Sequence, residues 1–480
     1  MTALYIVLGL LAIIIIYMII NAMTGKPIEI QNSNIELITV DKDKVAKHLG
    51  QAIQCATVSL SGTSTDEKPF DEFKLFIDKT YPLFTKKATK TIIHTHSLVY
   101  FLEGSDKSLK PACFLSHQDV VPAPPKGWEV PPFSGVIKEG FIYGRGAQDM
   151  KSQLVATLEG IEALLESGFA PRRGIYCCFG HDEEVTTKVG APNIVKYLQE
   201  QGVELEFVFD EGGAVLDGAL LGIKGKQLAM IGTCEKGYAD IKLTAKVNGG
   251  HASMPGKKTS ISVLAKAIDK LLSNPMSPVW TQVSKDMFDS LAPSMSPVFK
   301  FVLSNRKILS GVIKNGLTLI PITNSLFRTT FAPTMLTGSD ASNVMPPEAS
   351  VIINSRIITG QTSEDVIKHM QKVVGKLVDI EIMSSNEPTP ISPVETDTYN
   401  VLRTSIMESF ADTIVSPFLF IAGTDARYYT SICKNVYRFT PFAFTQEDSE
   451  RIHALNERIS VDNLAQGVKF FARFIENICA

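Results

Sequence analysis

From residue 111 onward short apolar runs alternate with helical ones, and that alternation limits the chain to few folds. Residues 112–115 read as a buried strand. Residues 152–167 read as a helix with Leu154, Leu158, Ile161 and Leu165 on one face, and 174–179 as a second strand. A short helix at 193–201 and a strand at 206–209 follow. This β-α-β-α-β rhythm predicts an α/β fold with a mostly parallel sheet flanked by helices.

After Gly237 the pattern changes. Strands are expected at 238–247, 329–337, 349–358 and 378–383, and helices at 261–272 and 363–377, the latter with Glu364 and Asp365 in its first turn. The order β-α-β-β-α-β is that of a ferredoxin-like α+β sandwich. We therefore read 238–385 as an inserted lid domain, with 26–237 and 386–480 as the two parts of the catalytic domain. Within the insertion, 274–327 is rich in Met, Phe, Leu and Pro and is taken as extra packing for the small domain rather than an apolar substrate passage. Residues 461–478 form a final amphipathic helix.

Residues 3–20 are uncharged and almost wholly apolar. At about 1.5 Å per residue they approach the lower limit for crossing about 30 Å of hydrocarbon. No Lys or Arg precedes the run, so residues 1–25 are read as an uncleaved transmembrane anchor. A cleaved signal peptide, with secretion of the remainder, is the alternative.

Composition narrows the chemistry. The 47 Lys and Arg against 50 Asp and Glu give a net charge of −3, with no basic excess for nucleic acid. The seven cysteines are scattered and contain no CxxC pair, so neither a disulfide framework nor a thiolate metal site is expected. A bound metal must then be held by His and carboxylates.

Four polar clusters sit where the parallel strands should end: Ser116-His117-Gln118-Asp119, Gly144 to Lys151 with Asp149 near its end, His181-Asp182-Glu183-Glu184, and Asp210-Glu211-Gly212-Gly213. Ligands in open α/β sheets collect at the carboxyl ends of strands. In an extended chain His117 and Asp119 point the same way, so Asp119 is placed to fix the imidazole of a metal ligand. So many carboxylates in one crevice repel each other and call for cations, which a two-metal site supplies. Zinc suits the mixture of His and carboxylate, and manganese or cobalt accept the same donors. One of the adjacent Glu183 and Glu184 can coordinate while its neighbour takes a proton from water.

With these residues assembled, the chain resembles the zinc-dependent exopeptidase family of glutamate carboxypeptidase, aminoacylase and carboxypeptidase S, and most of all its N-fatty-acyl-amino-acid synthase/hydrolase branch. The resemblance is carried by SHQDVVPAP, IYGRGAQDMK, GHDEEV, FDEGG, NGGHASMP, NVMPPEASVIINSRI, GTDARYY and RIHALNERIS. It implies that His117 and Asp210 bind one zinc, Glu184 and His453 the other, and Asp149 both. Asp119 would orient His117, Glu183 would be the general base, His251 would stabilise the oxyanion and Arg356 would hold a substrate carboxylate. In dimeric relatives the histidine matching His251 can come from the partner subunit, so a homodimer is one expected assembly. Where relatives often have His-Gly, this chain has His453-Ala454.

The expectation is thus a membrane-anchored di-zinc amidohydrolase acting on a small molecule, an N-fatty-acyl amino acid, with its catalytic domain extracytoplasmic or lumenal. A carboxypeptidase or dipeptidase for short peptides is the first alternative. The second is a non-catalytic, membrane-tethered peptide-binding protein.

Overall fold

The computed structural model describes residues 2–24, 35–60, 66–185 and 188–480. Its largest sheet has eight strands, in the spatial order Thr89–Ile93, Ser97–Leu102, Ile175–Gly180, Ala112–His117, Phe207–Asp217, Val436–Ala443, Gln227–Glu235 and Thr413–Phe420. Ala112–His117 runs parallel to both its neighbours, Val436–Ala443 parallel to Phe207–Asp217, and Thr413–Phe420 parallel to Gln227–Glu235. Antiparallel pairing is confined to the first two strands and to Gln227–Glu235 where it meets Phe207–Asp217 and Val436–Ala443. The sheet is therefore mostly parallel. Sequence patterning predicts three of these eight strands, at 112–115, 174–179 and 206–209.

Two helices, Lys151–Glu166 and Val461–Cys479, pack together over one face. At Gly160 an added Cβ would lie 2.9 Å from the Ala472 backbone nitrogen, so the two helices touch nearly backbone to backbone. Phe114, Phe207 and Phe209 of the sheet meet Phe471 and Phe474 of the last helix, with ring centroids no more than 6.3 Å apart. Each such ring contributes about 1.5–3 kcal/mol by leaving water.

Gly237–Lys246, Thr330–Thr337, Glu348–Ile357 and Asp379–Asn386 make a separate antiparallel sheet. Its spatial order places the second strand of the insertion beside the third, the third beside the first and the first beside the fourth, which is the ferredoxin-like arrangement. Ser260–Ser273 and Ser363–Val374 share its apolar core. The second helix starts on a reciprocal cap: Thr362 Oγ1 accepts the Asp365 N–H at 3.2 Å and Asp365 Oδ2 accepts the Thr362 N–H at 3.0 Å.

The apolar stretch does not thicken this small domain. Its helices Gln282–Leu291, Pro297–Ser304, Arg306–Leu317 and Pro321–Phe327 bury Val283, Met287, Phe288 and Leu291 against Leu228, Met230, Ile414 and Leu419 of the last two strands of the large sheet. An edge pair with an apolar face needs a cover, and this stretch supplies it.

Thr2–Thr24 is one helix, in which Met18 is the only buried residue between Tyr5 and Thr24. It is long and apolar enough to cross a membrane. Its last turns meet the insertion: Asn21 Nδ2 donates to Ser304 O at 2.7 Å, and Asn305 Nδ2 donates to Met18 O at 2.9 Å.

Candidate metal centre

His117 is the last residue of its strand and is buried. Its Nδ1 lies 2.9 Å from the Asp119 carbonyl oxygen and 3.6 Å from the Asp119 carboxylate, so the main chain orients the ring more closely than the side chain expected to do so. The Asp119 carboxylate instead accepts the backbone N–H groups of Glu183 and Glu184, at 3.3 and 3.2 Å. It joins the end of one parallel strand to the turn after the next.

Asp149 sits between two imidazoles. Its Oδ1 is 2.9 Å from His117 Nε2 and its Oδ2 is 3.1 Å from His453 Nε2. Both oxygens of Glu184 also face His453 Nε2, at 3.1 and 3.2 Å. His117, Asp149 and Glu184 offer ligand atoms within 4.8 Å of one another, and so do His117, Glu183 and Glu211.

The structure separates Asp210 from its neighbour. The Asp210 carboxylate is committed to main-chain donors, Glu211 N–H at 2.9 Å and Ala426 N–H at 2.8 Å. Glu211, which the sequence reading did not select, brings Oε1 to 3.3 Å from His117 Nε2. The cause is local: opposite Arg438 and Phe439 the strand register jumps from Asp210 to Gly213, leaving Glu211 and Gly212 in a bulge. A bulge re-aims side chains that strict alternation would send to opposite faces.

Glu457 is a second residue that patterning missed. It is fully buried and accepts from Arg145 Nη1 at 2.6 Å and from the backbone N–H groups of Gly146, Gln148 and Asp149 at 3.1, 2.8 and 3.2 Å. Arg145 Nη2 in turn donates to His453 O at 3.1 Å. His453 has a left-handed backbone, φ +61°, which this contact helps to hold. Gly146, φ +87°, lets the loop pass where a Cβ would come within 2.8 Å of Val120 Cγ1.

The electrostatics are those of carboxylates forced together. Burial pushes Glu183 well above the ordinary carboxylate range, against the pull of His117, with Glu211, Asp425 and Glu184 adding to the rise. Burial, reinforced by Asp149, raises Glu211 to about 8, and burial raises Asp119 and Asp210 to about 6. Hydrogen bonds to Asp149 and Glu184 raise His453 to about 10. Burial opposes protonation of His117, but Glu211 and Asp149 lift it well above its usual value. A field that draws protons onto two histidines also favours divalent cations, and the imidazole nitrogens and carboxylate oxygens present are the donors such ions prefer.

The two lid residues stand apart from this cluster. His251 is exposed, with Nδ1 2.7 Å from Ser253 Oγ, on a two-residue strand paired with Val344 and Met345. Arg356 is exposed near the end of its strand, paired with Tyr238, its guanidinium 5.8 Å from the Tyr238 ring centroid. Among the described residues, neither hydrogen-bonds a side chain of the cluster.

The sequence profile of peptidase family M20/M25/M40 matches residues 113–477. The chain belongs to this family. An N-fatty-acyl-amino acid synthase/hydrolase of Xenopus tropicalis is 37% identical over 478 residues, which cover 98% of this chain and 93% of the relative. A probable carboxypeptidase S-like protein of Dictyostelium discoideum is 36% identical over 447 residues, 92% of this chain and 86% of its own. Among solved structures, the M20 metallo-carboxypeptidase Sso-CP2 from Sulfolobus solfataricus shares the fold, with a TM-score of 0.66 at 18% identity over 91% of this chain and 99% of that one. Human carnosine dipeptidase 1 does so as well, at 0.65 and 14% identity, over 91% and 96%. This M20 member is a metallohydrolase, and the His, Asp and Glu cluster is a group that could hold metal.

Proposed function

We propose that this M20 enzyme is a membrane-anchored di-zinc amidohydrolase that cleaves, and by mass action also forms, the amide bond of N-fatty-acyl amino acids. The observation that carries the two-ion site is Asp149, whose two oxygens face His117 and His453 separately. In this reading His117 and Glu211 would hold one zinc, Glu184 and His453 would hold the other, and Asp149 would serve both. Glu211 takes the place first given to Asp210, because it is the carboxylate that faces His117.

The zinc ions, when bound, supply Lewis acidity towards the amide carbonyl and a lowered pKa for water. The protein supplies the proton transfers and the positioning. Glu183, beside the cluster and high in proton affinity, takes a proton from the attacking water and returns it to the leaving amine. His251 stabilises the developing oxyanion, reached by movement of the lid or supplied by a second copy in a homodimer. The planar guanidinium of Arg356 binds the carboxylate of the amino acid.

The lipophilic substrate is favoured by the likeness to the synthase/hydrolase relatives and by the exposed apolar N-terminal helix. Likeness to carboxypeptidase S-like proteins supports a second reading, cleavage of short peptides. The catalytic domain is placed extracytoplasmically or in a lumen. Rates for N-oleoyl-phenylalanine and a blocked dipeptide, measured with the zinc-loaded enzyme, test the choice. Preference for the dipeptide would overturn the acyl reading.

A further inference from the structure

The helices Pro297–Ser304 and Arg306–Leu317 and the turn after them present a large uncovered apolar surface. Val298, Phe299, Ile308, Val312, Leu319 and Ile320 are each between 49% and 83% exposed. Ile308 and Val312, one helical turn apart, share a face. A surface of this size facing water marks an interaction site in a soluble protein. Its charge pattern narrows the partner: residues 290–339 contain Lys300, Arg306, Lys307, Lys314 and Arg328 and no Asp or Glu. Arg306 is matched from outside this stretch by Asp289, its Nη2 2.6 Å from Oδ2. Apolar side chains beside Lys307 and Lys314 fit the boundary between lipid headgroups and acyl chains, where ammonium groups meet lipid phosphates.

Position narrows it further. The same helices hold the end of the apolar N-terminal helix, through Asn21 to Ser304 and Asn305 to Met18. Where they meet, Tyr17, Asn21, Thr24, Ser304 and Lys307 help to line a cleft of about 350 Å³. Tyr17, one turn before Asn21 near the end of an apolar helix, suits the level of lipid headgroups. The exposed face is thus continuous with the segment that would enter the bilayer.

We propose that the 297–320 face docks on the bilayer that holds the N-terminal helix, with Phe299, Val312 and their neighbours entering the acyl boundary and Lys307 and Lys314 meeting lipid phosphates. The inference rests on the membrane-anchored reading above. It adds a second, interfacial contact that fixes the catalytic domain against the surface instead of leaving it on a tether.

The test uses the full chain in phosphatidylcholine vesicles with about one-quarter phosphatidylglycerol. All seven native cysteines are buried, so a polarity-sensitive thiol label can be placed through Phe299→Cys, Val312→Cys, Tyr5→Cys or Ile92→Cys. Ile92 is exposed on the opposite edge of the large sheet from the insertion and serves as the aqueous control. Doxyl-labelled lipid should quench the labels at 299 and 312 at least about threefold more than the label at 92, as interfacial burial requires. Quenching at position 5 with none at 299 and 312 overturns the docking face and leaves the anchor intact. No quenching at position 5 overturns the anchor, and the docking face falls with it.

Discussion

Asp119 holds Glu184 by its backbone: the carboxylate accepts the Glu184 N–H at 3.2 Å, and the Glu183 N–H beside it at 3.3 Å. The residue two places after His117 thereby sets where Glu183, the proposed base, and Glu184, whose carboxylate faces His453, point. Asp119→Asn puts an amide where two N–H donors need acceptors. Metal affinity or activity should fall by about 10- to 100-fold, as for other groups that orient metal ligands. Zinc titration and kcat measured on one preparation check this, and unchanged values for both would refute it.

Glu183→Gln tests the base. The variant keeps the hydrogen bond from its backbone to Asp119 but has no carboxylate to take a proton. Turnover should drop by about 10²- to 10⁴-fold. Metal content by elemental analysis should stay at the wild-type level, and near-normal activity on every candidate substrate would remove Glu183 from the role.

The neighbours Asp210 and Glu211 make opposite predictions. Glu211→Gln weakens a side chain that faces His117, so one equivalent of zinc should bind at least about 10-fold more weakly. Asp210→Asn alters a side chain held by the backbone of Glu211 and Ala426, and should retain both ions while lowering stability. Stoichiometry after dialysis against a weak chelator separates the two cases, and loss of an ion only from Asp210→Asn would reverse the assignment.

Arg145 and Glu457 form a buried pair at 2.6 Å. Glu457→Ala strands the guanidinium in the interior and frees three backbone donors, which should cost at least about 3–5 kcal/mol. Urea unfolding measures the loss. A drop below about 1 kcal/mol would mean that water replaces the carboxylate without penalty.

Lys236 gives a pH signature. Its amine is buried and donates to Ser325 O at 3.0 Å and Arg328 O at 2.8 Å; burial, helped by the charge of Arg356, lowers its pKa from 10.5 to about 7. Between about pH 7 and 10.5 the unfolded chain therefore binds a proton that the folded protein does not, and this group's contribution to stability rises with pH across that window. Lys236→Met removes the term. The Tm difference between variant and wild type should shift in favour of wild type as pH rises from about 7 to 10, and a constant difference would contradict the burial argument.

Part of the candidate cluster was legible because the motifs of His117, Glu183 and Asp210 sit where apolar strands give way abruptly to His, Asp and Glu, whereas Asp149 follows a short strand of a separate small sheet and His453 follows a helix. Glu211 was not, since its direction comes from a register jump that only pairing with Val436–Ala443 reveals. Nor was Glu457, whose partners Arg145 to Asp149 lie some three hundred residues earlier in the chain. Nor was the Asp119 carbonyl, which comes to 2.9 Å from His117 Nδ1 while the carboxylate, also taken up by the Glu183 turn, stays at 3.6 Å.

The sequence alone determined the class and order of the elements from 112 to 209 and of the inserted β-α-β-β-α-β unit, because hydrophobic period depends on near neighbours; it did not determine the remaining strands of the large sheet. It also determined that any metal must be held by His and carboxylate. Tertiary structure decided which carboxylate of an adjacent pair faces His117 and which buried charge braces the Asp149 loop. It also decided that 282–327 covers the large sheet rather than the lid. Those outcomes depend on contacts between residues far apart in the chain, where bulges, backbone donors and desolvation select among side chains that look alike in the sequence.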